Sequence, residues 1–429
     1  ADLTLLYDKA LKCLNNTRLN TLIVGKFANL LPFPKNILGP LLKKIEVSKV
    51  TYTKRVLSYD DMLAIEGEPS AVEINPSKDI ALLQYTGGTT GVPKGAMLTH
   101  QNIVANAEQC TMWCNEFVPG KEKMLGVLPF FHVFAMTAVM NLSVRNALEI
   151  VALPRFELEP AMKLIHSKKP EYMMGVPAIF NAINNHKKLD KFDLSSLKFC
   201  ISGGAPLPVE VKKSFEDKTG AVIVEGYGLT ESSPVTHVNP LRGENRAGSI
   251  GLPLPGTTLK LIDHETGDDV TFKKERGELC IKGPQVMAGY WNKPDATANT
   301  LKDGWLYTGD IATLDEDGYT HIVDRLKDMI ITNGYNVYPR NVEEAIYLHP
   351  SVEECIVAGI PDKSRGELVK TWIKCKEGRE LNAEDLKNFL AEHLSPMQIP
   401  KRYEFRNEPL PKTMIGKLSR KDILAEEGL

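Results

Sequence analysis

Short apolar runs alternate, from Ile80 onward, with stretches in which apolar residues recur every three to four positions. Runs of the first kind, Ile80–Tyr85, Met124–Leu128, Leu148–Val151, Leu197–Ser202 and Val222–Val224, predict strands. The second kind, Gln101–Cys114, Leu158–Ser167 and Val209–Thr219, predicts helices. That alternation is the pattern of a mixed or parallel sheet covered by helices. Between Gly243 and Gly318 the texture changes to short strands, such as Thr257–Ile262 and Gly277–Lys282, with frequent Gly, Pro and Asp-Gly turns. A small β-rich subdomain is expected there. After Arg325–Asp328 a compact unit follows: helical Asn341–Leu348, strand-like Glu354–Gly359 and Lys370–Lys374, helical Asn382–His393. The expected fold is α/β: a large N-terminal domain of mixed sheets layered with helices plus the β-rich subdomain, 1–325, then a small α+β C-terminal domain, 326–429.

Composition narrows the class. At 429 residues the chain exceeds one ordinary domain, and 43% apolar with 25% charged residues fits a soluble globular protein with a sizeable core. A formal net charge of −2 supplies no general attraction to nucleic acid or to an anionic membrane. The seven cysteines lack the spacing of a zinc site and read as reduced thiols of a cytoplasmic enzyme, with Cys110 and Cys114 as core residues of a helix. No run reaches the ~18–20 apolar residues of a membrane-spanning helix. The start, ADLTLLYDKALKC, lacks the regions of a signal peptide. Thr21–Lys44, TLIVGKFANLLPFPKNILGPLLKK, leaves two readings open: a surface resting on lipid, or an irregular segment packed against the main domain.

The first candidate chemistry is YTGGTTGVPKG, Tyr85 to Gly95. Glycines let successive backbone N–H groups converge, threonine hydroxyls add donors, and Lys94 adds a mobile positive charge. Its place after an apolar strand, with a helix following, suits a phosphate loop. The usual Gly-Lys-Ser/Thr ending is absent, because Pro93 precedes the lysine and Gly95 follows it. The whole string resembles the nucleotide-binding motif of the acyl-adenylate-forming superfamily. Further motifs of that superfamily follow in order: SGGAPL (Ser202–Leu207), GYGLTE (Gly226–Glu231), YTGD (Tyr307–Asp310), DRLKDMI (Asp324–Ile330), NGYNVYP (Asn333–Pro339) and PKTMIGKLSR (Pro411–Arg420). The texture of PFFHVFA (Pro129–Ala135) and GPQVMAGYWN (Gly283–Asn292) is most similar to bacterial long-chain fatty acid–CoA ligases.

The resemblance implies two half-reactions: a fatty acid of medium to long chain and Mg-ATP give acyl-AMP and pyrophosphate, then CoA displaces AMP. It implies ATP, Mg2+ and CoA as cofactors and small-molecule partners, no nucleic acid, a homodimer as an open expectation, and peripheral contact with the inner membrane face as another. Lys417 matches the lysine that bridges carboxylate and α-phosphate, Glu231 the Mg2+ ligand, with Thr86 completing the metal or phosphate shell and Thr230 on the α-phosphate. Thr86, Gly87, Gly88, Thr89, Thr90, Gly91 and Lys94 form the cradle; Gly203, Gly204 and Ala205 with Gly226, Tyr227 and Gly228 form the adenine slot. Asp310 accepts the ribose hydroxyls, and Arg325 and Lys327 approach ribose and phosphate. Lys327 matches the pivot about which the mobile small domain rotates, and Gly334 the CoA passage. His132 and Met136 match positions beside the acyl pocket, Met136 standing where some relatives carry a tryptophan gate. Such relatives have a longer portion before the phosphate loop, so strands and pocket walls from that portion are expected to be missing. Two rivals stay open: a ligase for aryl or other carboxylates, and a truncated, catalytically dead nucleotide-binding paralogue.

Overall fold

A computed structural model describes residues 4–31, 33–41, 47–86, 93–153, 156–413 and 416–429. The chain forms two compact units, Ala1–Ile74 and Asn75–Leu429. In the first, helix α1 (Thr4–Asn16) precedes strand β1 (Leu22–Val24), helix α2 (Lys35–Leu41), strand β2 (Val56–Ser58) and helix α3 (Tyr59–Leu63). β1 and β2 pair in parallel, and Tyr7, Leu14, Val24 and Val56 are the unit's buried core. Thr21–Lys44 is therefore less irregular than expected, since β1 and α2 lie within it.

The second unit opens with an antiparallel hairpin, β3 (Ile80–Thr86) and β4 (Lys94–Thr99), followed by α4 (His100–Trp113). Thr99 caps α4: its hydroxyl accepts from Asn102 N while the Asn102 side chain accepts from Thr99 N. Strand β5 (Lys123–Gly126) leads through the short α5 (Val133–Ala135) and α6 (Leu142–Arg145) to β6 (Glu149–Ala152). Then come α7 (Leu158–Lys168), β7 (Tyr172–Gly175), α8 (Pro177–Asn184), β8 (Phe199–Ser202), α9 (Val209–Thr219) and β9 (Val222–Gly228). β6, β5, β7, β8 and β9 lie side by side in parallel, as helical crossovers dictate. Two antiparallel strands, β10 (Val235–Val238) and β11 (Leu252–Pro253), extend the sheet beyond β9. Burial on both faces accounts for continuous apolar stretches such as Phe199–Ser202, whose Cys200 is fully buried.

The β-rich subdomain is an antiparallel sheet of β12 (Thr258–Ile262), β13 (Gly277–Lys282), β14 (Leu301–Lys302), β15 (Trp305–Leu314) and β16 (Thr320–Arg325), with α10 (Pro294–Thr300) preceding β14. Beyond it, β17 (Ile330–Thr332), β18 (Tyr335–Val337), α11 (Pro339–Tyr347), β19 (Val352–Asp362), β20 (Gly366–Cys375), α12 (Ala383–Leu390), β21 (Arg402–Arg406) and α13 (Arg420–Glu426) enclose a separate core around Val342, Ile346, Val357, Ile373 and Leu386. The α/β class holds, with mixed sheets and a smaller C-terminal part. All seven cysteines are free, and Cys110 and Cys114 are buried. No helix among the described residues is long and apolar enough to cross a membrane.

Candidate active site

Four parallel strands end at one edge of the central sheet, and most of the sequence motifs lie there. His132 follows β5, Val176 follows β7, Gly203–Ala205 follow β8, and Gly226–Glu231 run off the end of β9. The open ends of such strands are where doubly wound sheets bind ligands. Close approach explains the glycines. A Cβ on Gly228 would stand 2.1 Å from the Pro234 carbonyl oxygen, and one on Gly203 would stand 3.1 Å from the Phe134 ring.

Asp310 comes from β15 in register with Arg325 on β16. It is 2% exposed, and both its oxygens are held: Oδ2 accepts from the Tyr227 hydroxyl at 2.5 Å, and Oδ1 lies 3.1 Å from Arg325 Nε. Asp310 in turn raises the Arg325 pKa. Burial first, then Asp310, pushes the Tyr227 phenol well above its ordinary range, so it stays a donor. Each carboxylate oxygen has a second lone pair free for a diol.

The cradle residues Gly87, Gly88, Thr89, Thr90 and Gly91 lie outside the described residues. Thr86 and Lys94 face each other as the pair that closes the β3–β4 hairpin around them. The helix expected to follow the loop is separated from it by β4, so a helix N-terminus does not serve as the anchor. Glu231 sits in the turn Thr230–Ser232; its Oε1 accepts from the Tyr290 hydroxyl at 2.6 Å, and among the described residues Oε2 has no partner. A carboxylate oxygen free in this way fits Mg2+, a cation that takes one or two carboxylates and completes its shell with phosphates and water. Among the described residues no cluster of three or more His, Cys, Asp or Glu could hold an ion without such help.

The distal motif closes the site. Lys412 and Leu418 bridge, Thr413 N donates to Lys417 O at 2.7 Å, and a Cβ on Gly416 would lie 3.7 Å from Val176. Gly416 therefore lies beside Val176, at the end of β7. Burial, then Arg325, draws the Lys417 ammonium down to about 8, partly offset by Asp310. His132 is its other neighbour: burial and Lys417 lower the imidazole pKa, and Nδ1 accepts from Phe134 N at 3.3 Å. Lys327 is lowered by burial and by Arg325. The structure thus unites Lys417, Asp310, Arg325, Tyr227, Lys327 and His132. Gly334 is elsewhere, at the β17–β18 turn, where Asn333 and Gly334 both take positive φ and a Cβ on Gly334 meets nothing within 4 Å. Met136 is buried among Ala96, Leu98, Val133, Met287 and Tyr290.

Three residues of this region escaped sequence reasoning. Tyr290 was visible only as the texture of GPQVMAGYWN. Glu225, buried on β9, accepts from Leu207 N at 3.2 Å; burial raises it to about 7 against the opposing pull of Arg340. Arg340, from α11, is buried, with Nε 2.9 Å from Glu344. Adjacent apolar neighbours or glycines around these residues gave no pattern that marks a functional charge.

Similarity to known proteins follows the same geometry. The AMP-binding enzyme profile matches residues 4–291 and the AMP-binding enzyme C-terminal domain profile matches 341–417. A long-chain-fatty-acid–CoA ligase of Bacillus subtilis (strain 168) is 48% identical over 99% of this chain and 76% of its own length. The ligase of that name from Salmonella typhimurium is 43% identical over 82% of this chain, which spans 62% of that relative. ATP-bound MatB from Rhodopseudomonas palustris superposes with a TM-score of 0.82 at 28% identity, over 98% of this chain and 81% of that one.

Proposed function

The chain belongs to the AMP-binding enzyme family, and from that premise we propose that it converts medium- to long-chain fatty acids to acyl-AMP and then to acyl-CoA, consuming ATP and CoA. One observation carries the reading: Lys417, from the far end of the chain, lies among Arg325, Asp310 and His132 at the open end of the parallel sheet.

A carboxylate oxygen is a poor leaving group, and its transfer to the α-phosphate turns it into a good one. The cost is bringing two anions together, which a positioned ammonium offsets. Lys417 supplies that charge between fatty carboxylate and α-phosphate, with Thr230 as a hydroxyl donor to the phosphate. Asp310 orients the ribose, and Tyr227, by donating to Asp310, fixes both that carboxylate and the ring that flanks adenine. Lys94 and the loop it closes hold the β- and γ-phosphates. Glu231, with Thr86, would hold Mg2+, which when bound would supply positive charge to the phosphates. His132 stands where the carboxyl end of the acyl chain enters, and Met136 forms part of an apolar wall behind it.

The two domains, 1–325 and 326–429, pivot at Lys327. One orientation seats Lys417; the other withdraws it and brings Gly334 to the CoA passage, so one cleft serves two nucleophiles. We place the enzyme in the cytoplasm with peripheral contact to the inner membrane face, a reading supported by exposed Phe33, Ile37 and Leu38.

The test is fatty-acid-dependent exchange of labelled pyrophosphate into ATP across acids of increasing length and an aryl acid, followed by thioester formation with CoA. Exchange is expected with the longer fatty acids. Lys417→Ala should slow adenylation by about 100-fold or more, the loss typical of a single preorganised charge, and largely spare thioester formation from supplied acyl-AMP. Equal loss in both halves would falsify the role given to Lys417.

A further inference from the structure

The segment Met287–Trp291 is stitched to both halves of the phosphate site. Met287 N donates to the Glu231 carbonyl at 2.8 Å, Ala288 N to Met97 O at 2.9 Å, and Trp291 N to Gly95 O at 2.8 Å. Met97 N returns a bond to Gly289 O at 2.8 Å, and an antiparallel bridge between Ala96 and Tyr290 ties the segment to β4. Gly289 is at φ 137, and a Cβ there would stand 2.8 Å from Thr297. The result is that the Tyr290 side chain has one place to go. Tyr290 is 6% exposed, buried with Ala96, Leu98, Val133, Met136 and Met287.

From that fixed position the side chain meets two charged groups of opposite sign. The hydroxyl is 2.6 Å from Glu231 Oε1, and Lys94 Nζ lies over the ring, 5.0 Å from its centroid. Lys94 and Glu231 form no ion pair with each other among the described residues. The aromatic ring holds the ammonium by cation–π attraction without consuming the carboxylate. The carboxylate is oriented by a neutral donor, which leaves its negative charge intact.

We propose that Tyr290 is a positioning residue for Mg-ATP: its hydroxyl fixes Glu231 so that Oε2 faces the cation, and its ring keeps Lys94 from neutralising that carboxylate. The inference rests on the reading of Glu231 as the Mg2+ ligand. Partners that orient a metal-binding carboxylate act through metal affinity, and their loss typically costs about 10–100-fold.

Tyr290→Phe keeps the ring, the packing and the lysine contact and removes only the hydroxyl. The probe is Mn2+, whose binding in the presence of α,β-methylene-ATP is followed by electron paramagnetic resonance; AMP binding, which needs no cation, is measured by calorimetry. Tyr290→Phe is expected to weaken Mn2+ by about 10–100-fold and to leave AMP affinity unchanged. Tyr290→Leu removes the ring as well, so the ATP analogue should bind more weakly even with no divalent ion present. Wild-type Mn2+ affinity in Tyr290→Phe, or equal loss of Mn2+ and AMP, overturns the inference. Glu231→Ala separates the two readings. If it leaves Mn2+ binding intact, the metal role of Glu231 fails; if it abolishes binding while Tyr290→Phe does not, only the positioning role fails.

Discussion

An ammonium that bridges two anions must be charged, yet the closed site makes Lys417 easy to deprotonate. Burial and Arg325 lower it from an ordinary 10.5 to about 8, and the bound anions are what restore it. The sign follows. Below about 8 the free enzyme carries the charged form; between about 8 and 10.5 closure expels a proton, so closing becomes easier as pH rises while the closed form loses its charge. For adenylation, kcat/KM for ATP reports the free enzyme. It should therefore fall about tenfold per pH unit above about 8, measured by pyrophosphate exchange with a saturating fatty acid. Lys417→Arg, whose guanidinium does not lose its proton in this range, should be slower but flat across that window. An unmoved alkaline limb in Lys417→Arg would assign the titration to another group. At this scale Lys417, Asp310 and Tyr227 were legible as candidates because each sits in a long motif, and the structure brings the three together. The motifs left out Tyr290 and Glu225, whose importance lies in partners distant along the chain.

The element that gathers these residues is the turn leaving β9, and its shape depends on two backbones touching. A methyl group on Gly228 would meet Pro234 O at 2.1 Å, Pro234 C at 2.6 Å and Val235 Cα at 3.0 Å, all main-chain atoms that cannot rotate away. At Gly203 the tight neighbour is the Phe134 ring at 3.1 Å, a side chain that can shift, and the nearest main-chain atom, Gly226 O, lies at 3.4 Å, an ordinary contact. Gly228→Ala should lose about 1–3 kcal/mol, seen as a lower Tm, together with most ATP affinity; Gly203→Ala should lose less of both. Equal, small effects would mean that the turn tolerates separation of β9 from the β10 approach. Elements were legible where periodicity was long: β3, α4, α7, α9 and β13 fall within a residue or two of their expected bounds. β4 and β7 were not. KGAMLT carries a lysine and a glycine, and YMMG is short and lacks β-branched residues, so neither offers a local strand signal. Both are strands because their neighbours in the sheet require them, and the missing β4 is why the phosphate loop turned out to close a hairpin.

For the molecule as a whole, the order of motifs gave the succession of large and small parts, but not the break after Ile74, which no composition shift marks. The proposed swivel at Lys327 has to undo a specific set of contacts. Gly416 rests on Val176, Arg276 lies over the Tyr338 ring at 5.1 Å, and at the rim Lys187 Nζ stands 3.2 Å from Glu377 Oε2. The rim pair is 82% and 87% exposed, so it contributes little to closure and can be replaced without changing the balance. That makes it a site for a tether. Lys187→Cys with Glu377→Cys, in a background where the exposed Cys13 and half-buried Cys375 are serines, can be joined by a short bismaleimide, the remaining thiols being buried. The joined protein holds Lys417 in place and should exchange pyrophosphate at close to the rate of the unjoined variant. Its CoA step should fall to background, because Gly334 can no longer reach the cleft. If the tethered enzyme still forms acyl-CoA from supplied acyl-AMP at the unjoined rate, a single arrangement of the two parts serves both chemistries and the swivel is unnecessary.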